Sequence, residues 1–237
     1  MPRPILIADC YLDPNDAGAP ALSALLGDRP WQSVRAPYEA LPSSVTPYEA
    51  LIISGSAATV SPPPAWASEL MGLVREARQA QVPVLGVCFG HQLLAAAIAG
   101  PAATGLAPRP EVGWTPVQIL AHDPLLDGVS EVFTAFVSHG DEVHPAPPGL
   151  RVLARSSGCE VQAIRVPNAP MWGVQFHPEM PLEVCVSLVH WRAETCPELE
   201  LDVPAVLADA RDSSALARAL FDNFLRQVDL ASAERPA

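Results

Sequence analysis

Lysine is absent from this 237-residue chain, in which all 14 basic residues are arginine. A Walker A phosphate loop and a pyridoxal Schiff base both require a lysine, so the sequence argues against both chemistries. Acidic residues number 26, and the net charge is −12 at pH 7. Phosphate backbones and anionic lipids repel a chain of this charge, so we expect neither nucleic-acid nor membrane binding.

Long hydrophobic runs and paired cysteines are also missing. No apolar stretch approaches the roughly 20 residues that span a bilayer, and the N-terminus does not read as a secretory leader, so we expect a cytoplasmic protein. An odd number of cysteines without C-x-x-C spacing predicts neither a disulfide framework nor a metal site. We expect no cofactor. The cysteines are Cys10, Cys88, Cys159, Cys185 and Cys196.

Short apolar runs alternate with helical patterns in the first half of the chain. The runs at 4–10, 48–55 and 82–87 are typical of strands buried on both faces, and the segments 65–81 and 89–99 are typical of helices. Five further β-like runs between 114 and 176 are spaced too tightly for crossover helices. We therefore predict an α/β fold with an open, mostly parallel central sheet, flanking helices and additional short antiparallel strands in the second half.

The remaining segments predict how the chain is divided. A helix is expected at 213–228, and loops are expected at 101–111 and 195–212. No internal repeat is present. We predict one domain over residues 1–230, followed by a C-terminal tail over 231–237.

Cys88 lies where a buried strand is followed at once by a helix. Gly86 and Gly90 flank it in a G-x-C-x-G spacing, the thiol counterpart of a nucleophile elbow, in which only small neighbours fit the turn. A thiol at a helix N-terminus is favoured as thiolate by the unpaired N–H groups and the helix dipole. The alternative interpretation is a small buried hydrophobe, which we adopt for the other four cysteines.

A thiol nucleophile requires a base, and His177 is the best candidate among six histidines. It ends an apolar strand in G-V-Q-F-H-P-E, and Pro178 favours extended backbone at His177. Residues i and i+2 of an extended chain face the same side, so the Glu179 carboxylate can reach the ring. Taken alone, this segment favours a surface histidine beside a solvated glutamate over a catalytic pair.

Two segments together resemble the class I (triad-type) glutamine amidotransferases: G-V-C-F-G-H-Q at 86–92 and G-V-Q-F-H-P-E at 173–179. Their order and separation match that family, and S-H-G-D-E-V at 138–143 falls where the family has its glutamine-binding segment. The resemblance extends from the first strand to L-F-D-N-F-L at 220–225. It implies the flavodoxin-like fold of these enzymes.

The resemblance implies a role for each matching residue. Cys88 would attack the side-chain amide of glutamine and form a γ-glutamyl thioester, while His177, oriented by Glu179, would protonate the leaving ammonia and then activate water. The oxyanion hole would combine the Phe89 N–H with one from the turn at 55–56, which is formed by Gly55 and Ser56. The residues that match the substrate contacts of the family are Gln92, Ser138 and His139.

The turn after the second strand differs between branches of this family. The turn reads G-S-A here, whereas synthetase-linked members often have G-G-P. The G-S form resembles freestanding, GMP-synthase-like members, which include γ-glutamyl peptidases. No ATP-pyrophosphatase domain follows Val228, so we expect any acceptor-activating synthetase to be a separate chain. The leading hypothesis is a glutaminase that supplies ammonia to such a partner. The alternatives are a stand-alone γ-glutamyl hydrolase and a catalytically silent binding or regulatory protein.

Overall fold

The computed structural model describes residues 3–13 and 15–234, in which nine strands form one sheet. The spatial order is β2-β1-β3-β4-β9-β8-β7-β5-β6. The strands are β1 Ile5–Asp9, β2 Trp31–Arg35, β3 Leu51–Ile53, β4 Val84–Val87, β5 Thr104–Ile119, β6 Val132–Val143, β7 Arg151–Arg155, β8 Ala163–Val166 and β9 Met171–Val174. The helices are α1 Ala19–Ser23, α2 Ala65–Gln79, α3 Phe89–Ala99, α4 Leu182–Thr195, α5 Val203–Ala208 and α6 Ser214–Glu234.

Five strands, β2-β1-β3-β4-β9, are parallel. Their buried faces explain the continuous apolar runs, because successive side chains point to opposite faces and both faces are covered. On one face, Leu6 and Ala8 of β1 pack with α2 and α3. On the other, Ile5 and Ile7 pack with α1 and α6. The predicted α/β architecture with helices on both sides of a central sheet is confirmed.

The other four strands, in the order β8-β7-β5-β6, are antiparallel, as predicted for the second half of the chain. The expected loop at 101–111 is wrong because β5 already begins at Thr104, ten residues before the first β-like run predicted in this half. Pro108 and Pro110 gave this segment the composition of a loop. They lie where the β5–β6 register shifts, between Leu106 and Glu111, and prolines are tolerated at such irregularities.

Helices α4, α5 and α6 follow the last strand. The expected loop at 195–212 contains α5, and the sequence did not predict α4. Both helices pack over Trp114 and Phe136 of the antiparallel strands. Helix α6 continues to Glu234, so residues 231–234 of the expected tail are helical, while 235–237 lie outside the described residues. No helix within 3–13 and 15–234 has the length and apolar character needed to span a bilayer.

Candidate active site

The carboxyl ends of neighbouring parallel strands meet at one edge of the sheet, and the predicted site residues lie there. Gly55 follows β3, Cys88 follows β4, and His177 follows β9. Ligands of open α/β sheets bind outside this edge. Two backbone hydrogen bonds position the site, from Cys88 N to Val174 O at 2.8 Å and from His177 N to Phe136 O at 2.9 Å.

Cys88 has the backbone conformation of a nucleophile elbow. Its φ is 51° and its ψ is −105°, a region that non-glycine residues seldom occupy and that is concentrated at functional sites. A Cβ on Gly86 would lie 2.3 Å from the Gly90 carbonyl oxygen, and one on Gly90 would lie 2.4 Å from the Ile53 carbonyl oxygen. Glycine is therefore required on both sides of Cys88. Phe89 opens α3, where first-turn N–H groups have no partner inside the helix.

Cys88 is 4% exposed, and its thiol lies between two polar groups. The Gln175 side chain donates from Nε2 to Cys88 Sγ at 3.5 Å, and the Ser138 carbonyl oxygen lies 3.9 Å from the sulfur. Gln175 was not predicted from the sequence. The signal that could have found it is its place two residues before His177, on the same side of an extended segment.

His177 and Glu179 form a buried pair. The ring Nδ1 lies 2.8 Å from Glu179 Oε1, and both side chains are at most 5% exposed. Burial opposes charge on the imidazole, but the Glu179 carboxylate and Cys88 outweigh it and raise the pKa of His177 to about 10. The ring also approaches the oxyanion turn, since a Cβ on Gly55 would lie 3.0 Å from His177 Cε1 and 3.7 Å from Cys88 Cβ.

Two cavities open onto Cys88. The smaller, which we call the polar cavity, measures about 200 Å³ and is lined by Ser56, Ala57, Ala58, Thr59, Cys88, Gln92, Ser138, His139, Gly140, Asp141 and Arg192. Gln92 is fixed there because its Nε2 donates to the Asp141 carbonyl oxygen at 2.7 Å and to Gln175 Oε1 at 3.0 Å. The His139 side chain is 1% exposed, so mainly its backbone is available to a ligand.

The larger, apolar cavity measures about 800 Å³ and contains the His177 side of the site. Gly55, Ser56, Cys88 and Ser138 line it together with apolar groups of α4 and of the segment after β1. A volume of this size suits a ligand much larger than an amino acid. The apolar and aromatic lining residues are Tyr11, Leu12, Ala57, Met180, Val184, Leu188 and Trp191.

Arg192 lies at the boundary of the two cavities and was also missed, because α4 was not predicted. Its Nε donates to Ser138 Oγ at 3.3 Å, and its guanidinium carbon lies 5.4 Å from the centre of the Trp191 ring. It brings positive charge to the wall of the polar cavity. A carboxylate group of a ligand is the natural partner of such a guanidinium.

The other cysteines and His91 lie outside this arrangement. Cys10, Cys159 and Cys185 are buried, and Cys196 is partly exposed. His91, in the first turn of α3, is fully buried against Gly173, and this burial lowers its pKa to about 3.

An α/β sheet that carries a cysteine on a sharp strand-to-helix turn beside a buried histidine–glutamate pair has the elements that covalent catalysis by cysteine requires. The family described as glutamine amidotransferase class-I matches residues 26–184. The chain belongs to the class I glutamine amidotransferase family.

Among similar sequences, a glutamine-hydrolyzing GMP synthase subunit from Methanopyrus kandleri is 41% identical over 120 residues, which cover 50% of this chain and 64% of that protein. The protein of the same name from Methanocaldococcus jannaschii is 41% identical over 104 residues, covering 44% of this chain and 54% of its own. The chain thus matches less than two thirds of the length of these curated relatives.

Solved structures of similar fold include a glutamine amido transferase from Methylobacillus flagellatus and a glutamine amidotransferase from Thermotoga maritima. The first has a TM-score of 0.78 at 24% identity and covers 96% of each chain. The second has a TM-score of 0.78 at 18% identity and covers 97% of this chain and all of the other. At these identities the likeness establishes the shared fold.

Proposed function

We propose that this protein hydrolyses the side-chain amide of L-glutamine through a γ-glutamyl thioester on Cys88. The observation that carries the proposal is the arrangement of Cys88 on its strained elbow beside the buried His177–Glu179 pair. A nucleophile, a base and a group that orients the base are the elements of covalent amide hydrolysis. Family membership supports the same chemistry.

The reaction proceeds in two halves. The Cys88 sulfur attacks the amide carbon, and the tetrahedral intermediate collapses as the His177 imidazolium gives its proton to the leaving ammonia. The neutral ring then takes a proton from water, whose hydroxide attacks the thioester and releases glutamate. Glu179 keeps Nδ1 of the ring occupied, so that the other ring nitrogen performs both transfers.

The surrounding groups fit the charges that arise. The N–H of Phe89 at the start of α3, with the turn at Gly55 and Ser56, stabilises the oxyanion. The polar cavity holds the α-amino and α-carboxylate ends of glutamine, where Gln92 and the backbone of Ser138 and His139 offer hydrogen bonds. We add Arg192 to this set as the partner of the α-carboxylate, because its guanidinium lines the same cavity.

We further propose that the ammonia is passed to a separate synthetase chain. Relatives named as glutamine-hydrolyzing subunits of GMP synthase support a partner of this kind. The protein then acts as the glutaminase of a two-chain enzyme, and it requires no metal or cofactor for the hydrolysis itself.

The apolar cavity favours a second candidate, a stand-alone γ-glutamyl hydrolase. His177, which protonates the leaving group, lines the apolar cavity of about 800 Å³ rather than the polar one. An amine that leaves toward His177 therefore enters a space lined by Tyr11, Leu188 and Trp191. Ammonia needs little of that space, whereas an apolar amine or peptide fills it.

One experiment tests the chemistry and separates the two candidates. Purified protein is assayed for glutamate release from L-glutamine, γ-glutamyl-glycine and γ-glutamyl-phenylalanine. We expect Cys88→Ala to lower release from every substrate by on the order of a thousandfold or more, because the covalent route is lost. Cys185→Ser, which changes another buried thiol, is the matched control and should retain activity.

The substrate ranking then decides between the candidates. A higher kcat/KM for glutamine than for the dipeptides supports the glutaminase, and a partner synthetase should raise the rate. A higher kcat/KM for γ-glutamyl-phenylalanine supports the hydrolase. Full activity of Cys88→Ala would refute both, and no reaction of wild-type Cys88 with a glutamine-mimicking electrophile would favour the silent binding protein.

A further inference from the structure

Three metal-ligating side chains from separate parts of the chain meet behind the polar cavity. Glu111 lies on β5, His139 on β6 and Cys159 in the connection between β7 and β8. One ligand atom from each lies within 4.8 Å of the other two. We propose that Glu111, His139 and Cys159 form a zinc-binding site, and that Glu142, which lies beside Cys159 but outside this group of three, moves in as the fourth ligand.

Both ring nitrogens of His139 face an acceptor oxygen, so a neutral ring has a proton for only one of these two contacts. Its Nδ1 lies 3.0 Å from the Asp141 carbonyl oxygen, which only accepts, so Nδ1 carries the proton. In the neutral ring, Nε2 then presents a lone pair toward Glu111 Oε2, which is 3.1 Å away. A metal ion bonded to both atoms resolves this contact. A donor bond from the second ring nitrogen to a carbonyl is also how ligating histidines are held.

The Glu111 carboxylate is held in place by its surroundings. Gln162 Nε2 donates to Oε2 at 3.1 Å, and Ser156 Oγ donates to Oε1 at 3.3 Å. The Glu111 carboxylate occupies space beside Gly158 that a side chain would fill, because a Cβ on Gly158 would lie 2.2 Å from Glu111 Oε1. The ligand is therefore oriented in advance, as outer partners orient carboxylates in metal sites.

Glu142 supplies the independent observation that points to a ligand. The residue is 5% exposed and its Oε2 is buried without a hydrogen-bond partner, although the carboxylate as a whole is hydrogen-bonded to the Cys159 thiol. Buried carboxylate oxygens are almost always hydrogen-bonded or bound to a metal. A cation beside Cys159 gives this oxygen its missing partner.

The donor set selects the metal. One sulfur, one imidazole nitrogen and two carboxylates suit zinc, whereas magnesium and calcium take oxygen ligands. In tetrahedral zinc, ligand atoms lie roughly 3.3–3.8 Å apart, whereas the three ligand atoms here lie within 4.8 Å of one another, so the group contracts on binding. As the zinc–sulfur bond forms, the thiol gives its proton to solvent.

Metal titration tests the proposal, and the Cys88→Ala protein serves as background because it removes the active-site thiol. This protein, freed of metal by a chelator, is titrated with Zn²⁺ against a chromophoric chelator and with Co²⁺ by absorption spectroscopy. We expect one equivalent per chain and a thiolate-to-cobalt charge-transfer band. Adding Cys159→Ser should remove that band and weaken zinc binding at least roughly 10- to 100-fold, the loss seen even when an outer partner is removed.

Two further variants make the outcome decisive. Adding Glu111→Gln should weaken zinc binding but retain the thiolate-to-cobalt band. This variant tests the site even if Cys159→Ser does not fold. Adding Cys185→Ser, a buried thiol outside the cluster, should change neither. The proposal would be overturned if zinc did not bind stoichiometrically, or if its affinity were the same with and without Cys159 and Glu111. The contact between His139 and Glu111 would then be an imidazolium–carboxylate ion pair. The result does not depend on whether glutamine is the substrate.

Discussion

Glu179 holds the His177 ring in its charged form, and the stability that this ion pair contributes depends on pH. The folded protein holds the pKa of His177 at about 10 against an ordinary value of 6.5. Stabilisation by the charged pair is therefore complete below about pH 6.5 and is lost as the pH rises through about 10. Glu179→Gln should lower the free energy of unfolding by about 3 kcal/mol near pH 6.5, and this difference should shrink toward pH 10.

Urea denaturation at pH 6.5, 8 and 9.5 measures that difference. Glu183→Gln, which neutralises an exposed acid in the first turn of α4, is the matched control and should change stability by less than about 0.5 kcal/mol. A stability difference for Glu179→Gln that is constant or grows with pH would show that the carboxylate does not hold the charge of His177.

The β4–α3 elbow tolerates no side chain at Gly90, since a Cβ there would lie 2.4 Å from the Ile53 carbonyl oxygen and 2.9 Å from Ile53 Cβ. Gly90→Ala should destabilise the fold by about 1–3 kcal/mol, because α3 must move away from β3. Gly72→Ala, in the exposed interior of α2 where a Cβ meets nothing within 4 Å, should instead stabilise it by about 0.5–1 kcal/mol. Thermal or urea unfolding of both variants checks these opposite signs, and equal effects would contradict the steric argument.

Among the strands and helices, the sequence predicts those whose pattern of apolar residues or glycines has a single physical cause. The runs at β1, β3 and β4 are apolar because both faces are buried, and α3 begins where the elbow glycines stand. Helix α4 escaped prediction because it contains three valines, which favour strands, and mainly Cys185 and Val189 are buried. The elements that follow from tertiary packing were therefore the ones missed.

The same limit applies to the candidate site. Cys88, His177 and Glu179 were predictable because strand ends and i, i+2 spacing place them, and their grouping at one sheet edge follows from the parallel order. Arg192 and the apolar wall were not predictable, since they come from α4. Their approach to Cys88 depends on how α4 packs over β5 and β6, which leaves no local pattern in the sequence.

A buried carboxylate, Asp123, links side chains of β8 and β9, the paired strands at which the two halves of the sheet meet. It accepts hydrogen bonds from Trp172 Nε1 at 2.8 Å on β9 and from Arg165 Nη1 at 3.1 Å on β8. Trp172 in turn meets Phe224 of α6 edge-on, with ring centres 6.2 Å apart. Asp123→Ala should lower the free energy of unfolding by about 3 kcal/mol, because it leaves the Trp172 N–H buried without a partner.

Urea denaturation followed by both fluorescence and circular dichroism measures this loss for the whole molecule. Asp127→Ala, which removes a half-exposed carboxylate nearby, is the control and should stay within about 0.5 kcal/mol of wild type. If residues 1–230 form one domain, as we predict, the two probes should coincide in a single transition. Two separate transitions would contradict that prediction.

The position of β9 between β4 and β8 has a consequence for synthesis on the ribosome. Until residues 171–174 emerge, the nascent chain carries β4 with one edge unpaired and with Cys88 at its end, while the histidine and glutamate of the site are not yet made. Open apolar edges recruit other strands. The central strand that ends at Cys88 is thus completed late, and the Cys88 thiol meets His177 only when the sheet closes around it.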